Sequence, residues 1–318
     1  MPILKRSPRP HEDKLPEAVL RGPGDGPLGE TAPGWLSPFP AGMPRLFTTC
    51  AHPGCTSGWL QLWRSRSTPI FEGGWACSAE CTRARVEAAL RREMVGRGTG
   101  CATAHRHRIP IGLILLEQGW ITQGQLRRAL EAQKAAGKGR FGEWLVRQQA
   151  VSEHLVTRAL ALQWNCPVLP LERHAPDLLA AAMPRLFVEA FGALPLRVAV
   201  GRLLYLGFEQ GLDPALALGV EQMTGLRVES GIVQQSRFRE AHARMLESGF
   251  PPVELIEAVS EAALAQAFSR ALEKNKPAES RMVRIHDCLW LRMWLRPQNG
   301  PLPEISGVRD LIGSIGSF

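Results

Sequence analysis

Between His107 and Pro167 the chain says nearly the same thing twice. A shift of 30 residues lays Gly112 on Gly142, Leu115 on Leu145, Ile121 on Val151, Thr122 on Ser152, Leu126 on Val156, Ala129-Leu130 on Ala159-Leu160 and Gln133 on Gln163. In each copy the apolar residues recur at three and four, the spacing of a helix face. Thr122 and Ser152 stand where an N-cap belongs. The expectation is a short helix, a turn and a longer helix per copy, with the two pairs packed as one four-helix unit. A unit this small cannot bury a face alone, so one reading of the duplication is structural, each copy giving half of a core. The other is a doubled recognition surface.

Downstream, residues 177–190 read as two short helices broken at Pro184. Ala193–Val200 and Leu203–Phe208 read as strands joined through Gly201-Arg202. Asp213 caps a helix with Pro214 at its first position, Gly225 ends it, residues 226–233 return as a strand, and Ser236 opens a helix to about Glu247. This is a small αββαβα arrangement whose crossover helix packs on the sheet. Pro251-Pro252 marks a boundary. Residues 253–274 then read as one helix with Leu255, Ile256, Val259, Ala263, Ala267, Phe268 and Ala271 on its apolar side. Residues 282–296 read as one strand with Val283, Ile285, Leu289, Leu291, Met293 and Leu295 turned inward. Arg284, His286, Cys288, Trp290, Arg292, Trp294 and Arg296 form the other face, suited to stacking on bases, to a protein hot spot or to cation–π pairs at the surface. The stretch from Pro297 to Phe318 shows no clear pattern.

The repeat also carries a family resemblance. Its second copy has Arg140-Phe141-Gly142-Glu143, Leu145, Val151, Ala159-Leu160 and Gln163; its first has Ile111-Gly112, Leu115, Gly119, Ile121, Ala129-Leu130 and Gln133. This resembles the N-terminal domain of the type II secretion and type IV pilus assembly ATPases, including the MshEN-type version that binds cyclic di-GMP. In that family each copy begins Arg-Leu-Gly, runs through spaced leucines and a Gly-x-Ile, and closes on Ala-Leu-x-x-Gln. Asn165-Cys166-Pro167, Pro184-Arg185-Leu186-Phe187, Ala193-Leu194-Pro195-Leu196 and Thr224-Gly225-Leu226 extend the likeness to about Leu246.

The resemblance implies a ligand site made of Arg108, Gly112 and Leu115 from one copy and Arg140, Gly142 and Leu145 from the other. Cyclic di-GMP is itself two-fold symmetric, so each copy would meet one half. Glycine would let backbone approach the ligand, a helix start would offer N–H groups to a phosphate, arginine would stack on a purine or fork onto phosphate, and the leucines would touch the bases. Two positions depart from the pattern: Pro110 aligns with Arg140, leaving Arg108 two residues early, and Gln149 replaces the glycine of Gly119. Arg140 also suits a solvated surface charge.

Upstream, Cys50-x4-Cys55 and Cys77-x3-Cys81 frame an alternating Trp59-Leu60-Gln61-Leu62-Trp63, and the second pair leads into a helical stretch over 82–94. Two cysteine pairs, one on a turn and one at a helix start, supply the four soft ligands of a structural zinc site; the alternative is four buried thiols. His52 is a spare ligand. Trp63, Arg64, Arg66, Arg83, Arg85, Arg91 and Arg92 give the module some of the basic and aromatic character of a nucleic-acid binder. Ahead of it, residues 1–45 hold ten of the 25 prolines and read as a disordered leader in which Trp35, Leu36 and Phe39 form a short docking motif or fall there by chance. Gly96–Gly100 reads as a linker, and Cys101, His105 and His107 as part of a basic connector.

The expected organisation is therefore α+β: the leader (1–45), a zinc-finger-like module of four cysteines (46–98), the secretion-ATPase-type domain (105–248, with the repeat at 105–167 and the α/β part at 176–248), and a C-terminal helix plus strand (251–318). A net charge of +8 favours anionic partners. No apolar run reaches the length of a membrane span and no signal peptide is seen, so a cytoplasmic protein without membrane insertion is expected, its seven cysteines serving metal or thiol chemistry. There is no Gly-x4-Gly-Lys-Ser/Thr loop, nucleophile elbow or His-Glu-x-x-His helix. The expected function is that of a non-enzymatic regulatory or adaptor protein binding cyclic di-GMP, a protein partner of a secretion or pilus platform, or both. The alternative is a zinc-dependent nucleic-acid-binding regulator.

Overall fold

The first cysteine pair brackets a tight turn, in which Cys55 N–H donates to the His52 carbonyl at 3.0 Å. A minimal hairpin follows, β1 (Ile70–Phe71) antiparallel to β2 (Gly74–Trp75), and then α1 (Ala79–Val95), whose first turn carries Cys81. The Ser78 hydroxyl accepts from Cys81 N–H at 3.2 Å, so the second pair sits at a capped helix start, as its spacing suggests. The computed structural model describes residues 50–56, 69–95 and 108–316, apart from 173, 201, 210, 212 and 299. The leader with Trp35, Leu36 and Phe39, the Trp59–Trp63 stretch, Gly96–Gly100, and Cys101, His105 and His107 lie outside the described residues.

Each copy of the repeat is a short helix and a longer one: α2 (Ile111–Glu117) with α3 (Gln123–Ala136), and α4 (Phe141–Arg147) with α5 (Glu153–Trp164). Thr122 and Ser152 cap the longer helices by accepting from Gln125 N–H and Leu155 N–H. The turns share a hydrogen bond: Trp120 N–H donates to Leu115 O at 2.9 Å, and Ala150 N–H to Leu145 O at 3.0 Å. The core of this unit consists of Leu115, Ile121 and Ala129 with their aligned partners Leu145, Val151 and Ala159. Half of the core thus comes from each copy. The packing is crossed, α2 lying against α5 and α3 against α4, so each copy buries its apolar face against the other.

The next part runs α6 (Pro176–Leu179), a 3-10 turn (Ala180–Ala182), α7 (Arg185–Phe191), β3 (Ala193–Ala199), β4 (Leu203–Phe208), α8 (Pro214–Thr224), β5 (Arg227–Ile232) and α9 (Gln235–Glu247). β3 pairs antiparallel with β4, and β4 parallel with β5, so α8 is the crossover. Asp213 caps it by accepting from Leu216 N–H at 2.8 Å.

The C-terminal part differs from the sequence reading. Residues 253–274 are not one helix: β6 (Val253–Ala258) precedes α10 (Glu261–Asn275), and Ser260 caps the latter by accepting from Ala263 N–H. Val253, Leu255 and Ile256 suit a helix face or a strand equally. The strand wins because a partner lies some fifty residues later, in β9 (Val308–Ile315), within the stretch that showed no pattern. Residues 282–296 are likewise two strands, β7 (Glu279–Ile285) and β8 (Cys288–Trp294), which turn at His286, held at φ 52°. The sheet order is β6-β9-β8-β7.

Both faces of this sheet are covered. Leu289, Leu291, Met293 and Leu311 pack under α10 and α1, while Trp290, Trp294, Val308 and Ile312 pack into the core of the α/β part. The arginine–tryptophan face is therefore interior: Trp290 and Arg292 are 0% exposed. The reading of it as a surface for bases or partners fails, because the α/β part occupies it. The cysteine module also docks here, with α1 against α10, Ile70 N–H on Pro277 O at 3.1 Å and Glu72 N–H on Ser280 O at 2.8 Å. The first described elements thus cover an edge and a face of the last.

Candidate functional site

Two places concentrate chemistry. In the first, the sulfurs of Cys50, Cys55, Cys77 and Cys81 all lie within 4.8 Å of one another. Cys55 and Cys77 are 3.5 Å apart and Cys77 and Cys81 3.6 Å. A tetrahedral zinc with Zn–S bonds of about 2.3 Å has edges of about 3.8 Å between sulfurs, so the donor set and its spacing fit. Burial, helped by the neighbouring sulfurs, pushes the Cys81 thiol up to about 12, and burial also raises Cys50. Left to themselves Cys50 and Cys81 stay neutral thiols. A dication reverses that balance and binds the thiolates outright. The four cysteines can hold a metal ion, with His52 outside the group.

The arginines of α1 are engaged within this neighbourhood. Arg83 pairs with Glu87 at 2.8 Å, Arg85 reaches Gly74 O, Arg91 reaches Glu87 O at 3.3 Å, and Arg92 forks onto Glu72 at 2.6 and 2.9 Å. Burial lowers the Arg85 pKa. These contacts brace the module, and Trp63, Arg64 and Arg66 lie outside the described residues.

The second place is the flank of the repeat that meets the α/β part. Arg140 is the N-cap residue of α4, and its Nη1 donates to Glu209 Oε1 at 2.6 Å. Glu209 also lies 3.2 Å from Arg239 of α9, which in turn reaches Glu143 at 3.0 Å. The Gln235 amide donates to Glu143 at 2.7 Å and, against the effect of burial, holds that carboxyl below its usual range. Burial pushes Glu153 up, but Ser236 N–H at 2.6 Å and the Gln234 amide at 3.0 Å outweigh it and leave the group lowered. Arg108 lies 3.1 Å over the Trp164 ring, and the same ring packs against Gly211, where it occupies the space a Cβ would need.

The remaining residues expected at a ligand site have other duties. Leu115 and Leu145 are 0% exposed and fill the repeat's core, so the expected contact of their side chains with bases is corrected: nothing of them reaches the surface. Gly112 and Gly142 lie inside the short helices rather than at a turn. A Cβ on Gly112 would stand 2.8 Å from Leu126 Cδ1, and one on Gly142 2.8 Å from Val156 Cγ1, so each glycine lets a short helix touch the long helix of its own copy. Gly119 and Gln149 occupy the same left-handed turn position, at φ 66° and 53°. Sequence reading missed Glu209 and Arg239, which no spacing connects to Arg140. It also missed the task of the closing glutamines: Gln133 Nε2 donates to Gly139 O at 3.0 Å and Gln163 Nε2 to Ile109 O at 2.8 Å. Gly139 and Ile109 are themselves 30 residues apart, so each copy ties down the start of the other.

No family model matches the chain. Part of it has relatives. The type IV pilus assembly ATPase PilB of Thermus thermophilus is 29% identical over 136 residues, which is 42% of this chain and 15% of PilB. Among solved structures, MshE with cyclic di-GMP is 26% identical over 43% of this chain and 99% of that one, with a TM-score of 0.34. The N-terminal domain of XpsE is 21% identical over 44% of this chain and 94% of that one, with a TM-score of 0.30. The chain spans about 15% of the length of the pilus ATPase it matches. Each of these matches involves less than half of the chain. No described helix is long and apolar enough to cross a membrane.

Proposed function

We propose that this protein is a cytoplasmic, non-enzymatic regulator or adaptor that works by binding. Its secretion-ATPase-type domain takes cyclic di-GMP and engages a protein partner of a secretion or pilus system, and its four cysteines hold a structural zinc ion. One observation carries the reading: the crossed bonds of Gln133 and Gln163 arrange the two copies about a local two-fold, the symmetry of the ligand itself. Arg140, 43% exposed at the start of α4, is the charge that meets a phosphate or stacks on a guanine. Zinc would draw four thiolates together and fix the turn at Cys50 to the start of α1, giving a small segment the stability its own core cannot supply. The nucleic-acid alternative loses its strongest support with the burial of Trp290 and Arg292.

The test is thermal unfolding of the full chain with and without cyclic di-GMP. A ligand that binds only the folded state raises the midpoint with concentration, and the Arg140→Ala protein is expected to show no rise. A midpoint indifferent to millimolar ligand would leave protein docking alone.

A further inference from the structure

Resting on the reading that Arg140 meets cyclic di-GMP, we infer that Glu209 is a built-in competitor for that arginine and that Arg239 takes charge of Glu209 when the ligand displaces it. The Glu209 carboxylate already sits 2.6 Å from Arg140 Nη1, where a phosphate oxygen would make the same charge-assisted bond. It belongs to the α/β part and Arg140 to the repeat, so the pair also ties the two together. Glu209 is 14% exposed on its side chain. A carboxylate withdrawn this far from water cannot be left without a positive partner cheaply.

Arg239 removes that obstacle. It lies 3.2 Å from the same Glu209 oxygen that Arg140 contacts and is braced by Glu143 at 3.0 Å. When an anion draws Arg140 away, Glu209 keeps a guanidinium at contact distance. Ligand binding at the repeat therefore exchanges one ion pair for another and releases a tie to the α/β part, while Glu143 and Glu153 hold the rest of the interface. The arrangement makes affinity for the ligand depend on residues that never touch it.

The two acting residues call for opposite responses. Removing the competitor by Glu209→Gln frees Arg140, and a partly exposed ion pair of this kind corresponds to roughly threefold to fivefold tighter binding. Removing the receiver by Arg239→Gln leaves Glu209 dependent on Arg140 and weakens binding by a similar factor. Isothermal titration of cyclic di-GMP into the full-length wild type, Glu209→Gln, Arg239→Gln and Arg140→Ala proteins measures all four. Opposite shifts for the first two variants, larger at low salt than at high salt, with binding lost in Arg140→Ala, are expected. Wild-type binding with both variants shifted the same way, or unshifted, overturns the competition and leaves the ligand assignment standing. Absence of binding in both the wild type and Glu209→Gln overturns the ligand assignment, and the competition with it.

Discussion

Arg292 and Asp310 face each other across β8 and β9, with both side chains at 0% exposure and two hydrogen bonds of 2.8 Å between them. The same carboxylate accepts from Trp290 Nε1 at 2.8 Å, and the arginine reaches Ala181 O at 2.6 Å. This one guanidinium therefore fastens the C-terminal sheet to the 3-10 turn of the α/β part. Asp310→Ala leaves a buried charge without its partner and is expected to cost about 3–5 kcal/mol. The double replacement Arg292→Met with Asp310→Leu is expected to cost less, since it removes both charges. Urea unfolding of the two proteins gives the comparison.

Gln149 occupies a left-handed turn at φ 53° where the first copy has Gly119. A residue with a Cβ there costs about 1–2 kcal/mol relative to its preferred backbone, partly offset by the chain entropy that glycine would lose. Gln149→Gly is expected to stabilise the protein by about 0.5–1 kcal/mol, and the reverse change, Gly119→Gln, to destabilise it by a similar amount. Denaturant midpoints at constant slope check both.

The interface between the repeat and α9 is expected to weaken in acid. Glu143 and Glu153 are both lowered from the ordinary glutamate value of 4.5, so each carries fewer protons folded than unfolded. Their contribution is complete at neutral pH and is lost as the pH falls below about 4.5 and through the lowered folded values. Around them lie Glu209, Arg140 and Arg239. The Glu153→Gln protein is expected to lose less stability than the wild type between pH 7 and pH 4, measured by urea midpoints at each pH.

Metal removal is expected to act beyond the cysteines. α1 packs on α10, and the hairpin of β1 and β2 bonds to Pro277 and to Ser280 of β7 through Ile70 and Glu72, so a loosened cysteine module uncovers part of the C-terminal sheet. Purified protein is expected to hold about one equivalent of zinc, absent in Cys77→Ser, and chelation is expected to raise amide exchange in β7 as well as in the module. Exchange confined to the module would contradict the coupling.

What could be read in the chain beforehand was what depends on near neighbours. Thr122, Ser152, Asp213 and Gly225 mark helix ends by local hydrogen bonding, and the duplicated residues give the crossed core because the same interior is written twice. What could not be read depends on residues far away. Val253–Ala258 becomes a strand only because Val308–Ile315 pairs with it, and Trp290 becomes interior only because the α/β part packs over it. At the candidate site the cysteine group was legible from spacing alone. The roles of Leu115, Leu145, Gly112 and Gly142 were not, since a motif gives residue types and not which way they face.

In the proposed function the two copies together form one recognition face for a two-fold dinucleotide. Equilibrium dialysis of labelled cyclic di-GMP against the full chain measures it most directly. Saturable binding lost on changing Arg140 to Ala is the expected result; binding that survives that change at full strength, or none in the wild type at millimolar ligand, would contradict it.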